Sequence, residues 1–287
     1  MKISVSSYSF NQYIKAGKMT HLDCVSKAKE MGFDAIEFID LPGENLDEQL
    51  TLAGKLAEKA AELGIEINAY TIGASLYHDT QEGSDAEVER LKGQLRVAQA
   101  LGAKVMRHDV CNKLGKTGNS RSFDLMLPTI AANARRVTEY GETLGIRTCS
   151  ENHGYVAQDS DRVERLFNAV AHDNYGLLVD MGNFICVDEN PALAVSRVAP
   201  YAVHVHIKDM RVRSTPIGAC NHMTRGGNYF CGTAVGEGDV PVKQCLAIIK
   251  RAGYDGYVSL EFEGPEEPEY ALRKGYENLK EMIDSLG

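Results

Sequence analysis

One arrangement limits this chain more than any other: a short strand-like run followed by a longer helical stretch, repeated eight times. Residues 3–10, 35–39, 65–70, 104–108, 147–151, 175–180, 202–208 and 256–263 read as strands, because each is short, apolar or alternating, and set between polar turns. Residues 21–32, 46–63, 85–101, 123–144, 160–171, 190–198, 240–252 and 267–285 read as helices. Gly32, Gly64, Gly102, Gly145 and Gly253 stand where several of these stretches stop, as a left-handed C-cap requires. Strands separated by helices pair in parallel, and eight such units in 287 residues predict a closed (β/α)8 TIM barrel, one domain over residues 1–287. The competing open doubly wound sheet would carry a Gly-x-Gly-x-x-Gly turn after the first strand, and the sequence has none there.

In such a barrel the chemistry sits at the C-terminal ends of the strands. Arg147-Thr-Cys-Ser-Glu151, Gly176-Leu-Leu-Val-Asp180 and Val258-Ser-Leu-Glu261 are short runs that each end in an acid. In Ala202-Val-His-Val-His-Ile-Lys-Asp209 the alternation puts His204, His206 and Lys208 on one face. Any one of these acids alone reads more simply as a helix cap or an ion-pair partner, and a lone strand histidine as a hydrogen-bonded core residue. Together, Glu151, Asp180, His206 and Glu261 would bring three carboxylates to one point, where they repel unless a cation joins them. Three hard oxygen donors and one imidazole suit Mn²⁺, Mg²⁺ or Co²⁺ better than a structural Zn²⁺.

Further polar residues mark the same rim. His108, His153, Asn183, Lys208 and Glu263 are expected to contact substrate or to support the ligands, with Asp109 and Asn152 beside them. For Lys208 a structural ion pair with Glu237 or Asp239 is the alternative. Residues 210–238 show no clear period and read as a lid, with Arg211, Arg213 and Arg225 offering cations to a carboxylate or phosphate. The bland alternative is a surface excursion whose arginines pair with nearby acids.

A net charge of −9 argues against a nucleic-acid or anionic-membrane surface, and no apolar run is long enough to span a bilayer. Met1-Lys2-Ile3 leads straight into a strand pattern rather than a signal peptide. Seven scattered cysteines read as free thiols in a reducing cytoplasm, and the spacing of Cys220, His222 and Cys231 matches no familiar metal site.

At Glu151-Asn-His-Gly154, Val179-Asp-Met-Gly-Asn-Phe184, His204-Val-His-Ile-Lys-Asp209, Gly236-Glu-Gly-Asp239 and Ser259-Leu-Glu-Phe-Glu-Gly264 the chain resembles the xylose isomerase-like barrel superfamily, in its sugar phosphate isomerase/epimerase branch. The resemblance implies one divalent metal, commonly Mn²⁺, on Glu151, Asp180, His206 and Glu261, and a carbohydrate substrate. It also implies that Glu151 and Glu261 move a proton beside a carbonyl through a metal-held enediolate. The same superfamily contains dehydratases and keto-glycoside lyases, so a lyase is the alternative outcome, and a non-catalytic sugar-binding barrel a third. Homo-oligomers are common in the branch. The ketose epimerase pattern is broken where Asn183 replaces a His, Ala157 a Glu, and Val212, between Arg211 and Arg213, an Arg. These departures bear on substrate recognition rather than on the ligand set.

Overall fold

A computed structural model describes residues 1–216, 218 and 220–287. Eight parallel strands close into a barrel: β1 (Lys2–Ser6), β2 (Ala35–Ile39), β3 (Glu66–Ile72), β4 (Val105–His108), β5 (Arg147–Glu151), β6 (Tyr175–Asp180), β7 (Ala202–Ile207) and β11 (Tyr257–Leu260). Around the ring the order is β1-β11-β7-β6-β5-β4-β3-β2. The TIM-barrel fold expected from the alternation is therefore present.

Outside the ring lie α2 (His21–Glu30), α3 (Leu46–Leu63), α4 (Gln81–Leu101), α5 (Phe123–Thr143), α6 (Ser160–Val170), α7 (Pro191–Val198), α8 (Val242–Arg251) and α9 (Pro268–Asp284), after a short α1 (Asn11–Lys15). Their ends follow local chemistry. Asn45 caps α3 by accepting from the Glu48 N–H at 3.0 Å, and Gly64 ends it at φ +60°. Such an N-cap contributes about 1 kcal/mol. Thr80 starts α4 four residues earlier than the periodicity suggests, by accepting from the Gly83 N–H. Among the described residues, no helix is long and apolar enough to cross a membrane.

Three differences from the sequence reading matter for the site. The first strand stops at Ser6, whose hydroxyl accepts from the Tyr8 N–H at 3.3 Å and turns the chain into a short 3₁₀ segment. Tyr8 is thereby lifted onto the barrel mouth.

Residues 210–238, which show no period in the sequence, contain paired strands among the described residues. β8 (Asp209–Arg213) pairs antiparallel with β10 (Tyr229–Thr233), and β10 with β9 (His222–Met223), making a small flap. A two-residue strand and two five-residue strands are too short to register as a period.

Cys220 and Cys231 form a disulfide rather than two free thiols. The flap sets their Cα atoms 5.4 Å apart, a proximity that their linear spacing does not announce. The remaining five cysteines are free and buried.

Candidate metal centre

The ends of three adjacent barrel strands define the floor of the site: Glu151 is last on β5, Asp180 last on β6 and His206 last but one on β7. Glu261 follows β11 directly, with its N–H donating to the Ile207 carbonyl at 3.0 Å. Register places Asp180 opposite His206, so strand alternation sends both side chains into the barrel.

Asn152 locks the β5 and β6 ends together: its amide donates to the Asp180 carbonyl at 2.8 Å and accepts from the Asp180 N–H at 2.9 Å. Gly182 lets β6 approach β7, since a Cβ there would lie 2.8 Å from the Lys208 carbonyl oxygen. The Asp209 carboxylate accepts from the N–H groups of Met210, Gly236, Gly238 and Val240, which pins the Gly-Glu-Gly turn beneath the flap.

One donor atom from each of Glu151, Asp180, His206 and Glu261 lies within 4.8 Å of the others. His206 Nδ1 is 3.7 Å from Glu261 Oε2, 3.8 Å from Glu151 Oε1 and 3.9 Å from Asp180 Oδ2. Donors around one dication with bonds of about 2.1 Å stand roughly 3–4.2 Å apart, so this spacing fits a shared ion. Among the described residues, Asp180 Oδ2 and His206 Nδ1 are buried without a hydrogen-bond partner. Buried polar atoms rarely stay unpaired, and these two face each other across the gap a cation would fill.

The electrostatics agree. Burial, together with Glu151 and Glu261, pushes the Asp180 carboxyl up to about 6 despite Lys208 nearby. Burial would also raise Glu261, but Lys208 and His206 outweigh it and hold that carboxyl well below its ordinary range. Burial opposes the charge on Lys208, yet the surrounding carboxylates raise it well above normal. Lys208 Nζ lies 2.6 Å from Glu261 Oε2 and 3.5 Å from both Asp180 Oδ2 and Glu263 Oε2. It is therefore an ammonium in the cavity. It does not pair with Glu237 or Asp239, because those acids hold arginines.

Asn183 donates to Glu151 Oε1 at 2.8 Å, and His153, half-exposed, sits 2.9 Å from Asp109 Oδ1. His153, Lys208 and Glu263 line both a cavity of about 220 Å³ that Glu151, His206 and Glu261 also line and another of about 280 Å³. Asn183 lines the second.

The structure does not bring His108, Arg211 or Arg213 to these walls. His108 is buried, its Nδ1 is 3.0 Å from the Asp109 carbonyl oxygen, and its ring lies beside Tyr175. Alternation along β4 sends the neighbouring residue inward instead. Arg211 reaches Glu237 Oε2 at 3.4 Å and Arg213 reaches Asp239 Oδ2 at 3.0 Å, so their charge is spent on the turn beside the flap.

Three residues absent from the sequence reading line or support the site. Arg107 pairs with Glu151 and lies 3.1 Å from Asp109 Oδ1. Glu37 lies 2.8 Å from His206 Nε2 through its Oε1. Tyr8 walls both cavities. Glu37 was detectable as the one acid within Ala35-Ile-Glu-Phe-Ile39, and Arg107 by choosing the other parity of β4. Nothing in the local pattern marks Tyr8.

A family model described as xylose isomerase-like TIM barrel matches residues 25–282. The chain is 26% identical to the rhizopine catabolism protein MocC of Rhizobium meliloti, over 92% of this chain and 82% of that protein. It is also 26% identical to inosose dehydratase of Lacticaseibacillus casei, over 61% of this chain and 63% of that one. Among solved structures, the IOLI protein with a bound zinc atom superposes with a TM-score of 0.77 at 18% identity, covering 100% of this chain and 99% of that one. This last likeness is one of fold.

Proposed function

Because this chain belongs to the xylose isomerase-like TIM-barrel family, we propose that it is a divalent-metal-dependent isomerase or epimerase of a sugar or cyclitol, moving a proton on a carbon next to a carbonyl. The observation that carries this reading is the gathering of Glu151, Asp180, His206 and Glu261 within 4.8 Å, with two of their buried donor atoms unpartnered. When bound, the ion, with Mn²⁺ favoured by three oxygen donors and one nitrogen, would polarise the substrate carbonyl and stabilise negative charge developing on its oxygen.

The protein's own groups supply the rest. Glu151 and Glu261 enter the cavity from different strands and are assigned as the pair that removes and returns the proton. Arg107 pairs with Glu151 and holds its carboxylate in place. His153, Asn183 and Glu263 offer hydrogen-bond partners to substrate hydroxyls. The names of the two relatives, which speak of rhizopine catabolism and of inosose, support a polyhydroxylated small molecule as substrate.

A lyase is the second reading, and one feature favours it. The Lys208 ammonium, 2.6 Å from Glu261, is a cationic hydrogen-bond donor inside the cavity that would stabilise negative charge on a departing hydroxyl. Incubating the protein with ketoses and inososes in deuterated water plus Mn²⁺ separates the cases. A product of the same composition with one deuterium on carbon supports the isomerase, and loss of water supports the lyase. If no substrate exchanges while Glu151→Gln binds sugars as wild type does, the barrel is only a binder.

The buried thiols suit the cytoplasm expected from the sequence, whereas the Cys220–Cys231 pair does not. Mass analysis after thiol blocking in the native cell would decide which holds.

A further inference from the structure

We propose that Glu37 is the residue that presents His206 to the metal, acting from the far side of the barrel as the one carboxylate that two imidazoles face. The inference rests on the metal-centre reading above. Glu37 is fully buried on β2, and β1 and β11 separate that strand from β7 around the ring. Its Oε2 is hydrogen-bonded to His204 Nε2 at 2.6 Å, while its Oε1 lies 2.8 Å from His206 Nε2 as an ion-pair contact not aligned as a hydrogen bond, so one carboxylate faces both rings of the His-Val-His pair.

The two nitrogens of His206 therefore meet different surroundings. Nε2 faces Glu37, while Nδ1 faces Glu151, Asp180 and Glu261 at 3.7–3.9 Å. Imidazole binds a metal through a nitrogen that carries no hydrogen, and the partner of the other nitrogen decides which one that is. A carboxylate can only accept, so the nearness of Glu37 favours the hydrogen on Nε2 and the Nδ1 lone pair toward the three acids. His204, its ring 5.4 Å from that of His206 and nearly perpendicular, takes the other carboxylate oxygen and fixes the plane of the group.

The backbone is irregular at these two points. Pairing of β2 with β3 slips between Ile36 and Glu37, leaving Asn68 as the extra residue. Pairing of β6 with β7 slips between Leu177 and Leu178, leaving Val203 as the extra residue directly before His204. Bulges re-aim side chains, and here they adjoin both partners of the bridge. A salt link serving stability alone would not need the ring hydrogen to be on one particular nitrogen.

The test uses the full-length protein stripped with a chelator and titrated with Mn²⁺. Wild type is expected to take up one ion. Glu37→Gln, whose amide nitrogen can donate to Nε2 and favour the wrong tautomer, should bind about 10–100-fold more weakly. His204→Gln keeps a donor to Glu37 and leaves His206 its acceptor, so it should lose far less. Long-range ¹H–¹⁵N spectra of the Zn²⁺-loaded wild type give a reading that needs no variant. Coordination through Nδ1 with the hydrogen on Nε2 is expected.

Unchanged affinity in Glu37→Gln, or coordination through Nε2, overturns the role given to Glu37 and leaves the proposed function standing. If the wild type binds neither metal, the proposed function fails and this role with it.

Discussion

The two halves of the barrel mouth contribute in different ways. Strands β5, β6, β7 and β11 bring three carboxylates and an imidazole to one point from residues at or within one position of their ends. Strands β1 to β4 bring no ligand to that cluster. They supply Tyr8 on the wall, Arg107 against Glu151, and Glu37 behind His206. Donors to one ion must meet within a few ångströms, so they must start at neighbouring strand ends and point the same way. Groups that balance charge or orient a ring act through their own length, and can start from anywhere on the ring. One half therefore leaves a pattern in the sequence and the other does not.

The largest expected effect tests the ligand half. Asp180→Ala removes a donor and should abolish Mn²⁺ uptake, with turnover falling by about 10³-fold, the scale on which transition-state charge stabilisation acts. Metal titration and initial rates check it, and retained uptake would place the ion elsewhere.

The supporting half is tested next. Arg107→Met leaves Glu151 and Asp109 facing each other without their cation and should destabilise the metal-free fold by about 3–5 kcal/mol in denaturant titration. Its pH signature has a definite sign. Burial would raise Asp109, but Arg107 and His153 outweigh it and hold the carboxyl below its ordinary range. A depressed carboxyl adds stability above the unfolded-state value, and that stability is lost as pH falls through the folded one. The acid limb of stability against pH should therefore be shallower in Arg107→Met than in wild type, and an identical limb would show that the pair contributes nothing.

Lys208 stands between the halves. Lys208→Met should cost about 10²-fold in turnover if the ammonium stabilises negative charge on a departing hydroxyl, while Mn²⁺ affinity stays level or rises because a competing cation is gone. A fall in both would recast Lys208 as structural. The smallest effects belong to the flap. Arg211→Ala and Arg213→Ala break exposed ion pairs with Glu237 and Asp239, and each should shift stability by no more than about 0.5 kcal/mol and leave KM unchanged. A raised KM would return these arginines to the substrate.

Much of the fold was legible because it is written locally. Strand and helix periods, Gly64 and Gly102 at helix ends, and the recurrence of the unit require only neighbours in the chain. His108 shows where that fails. Alternation says that residues 107 and 108 point opposite ways, but not which of them points in, and a histidine looked more like a site residue than an arginine did. The pairing of Arg211 and Arg213 was hidden for a related reason: the loop had no period, so the antiparallel pairing that carries them to Glu237 and Asp239 could not be read.

By itself the sequence determined the barrel and the four side chains at the ends of consecutive strands, because both follow from order and spacing along the chain. Only the tertiary structure decided that Glu37 stands behind His206, that Arg107 neutralises Glu151, that Lys208 belongs to the cavity, and that Cys220 meets Cys231. Those contacts join residues separated by long stretches of chain or by an unforeseen turn, and it is ring closure and flap pairing, with their particular registers, that bring them within bonding distance.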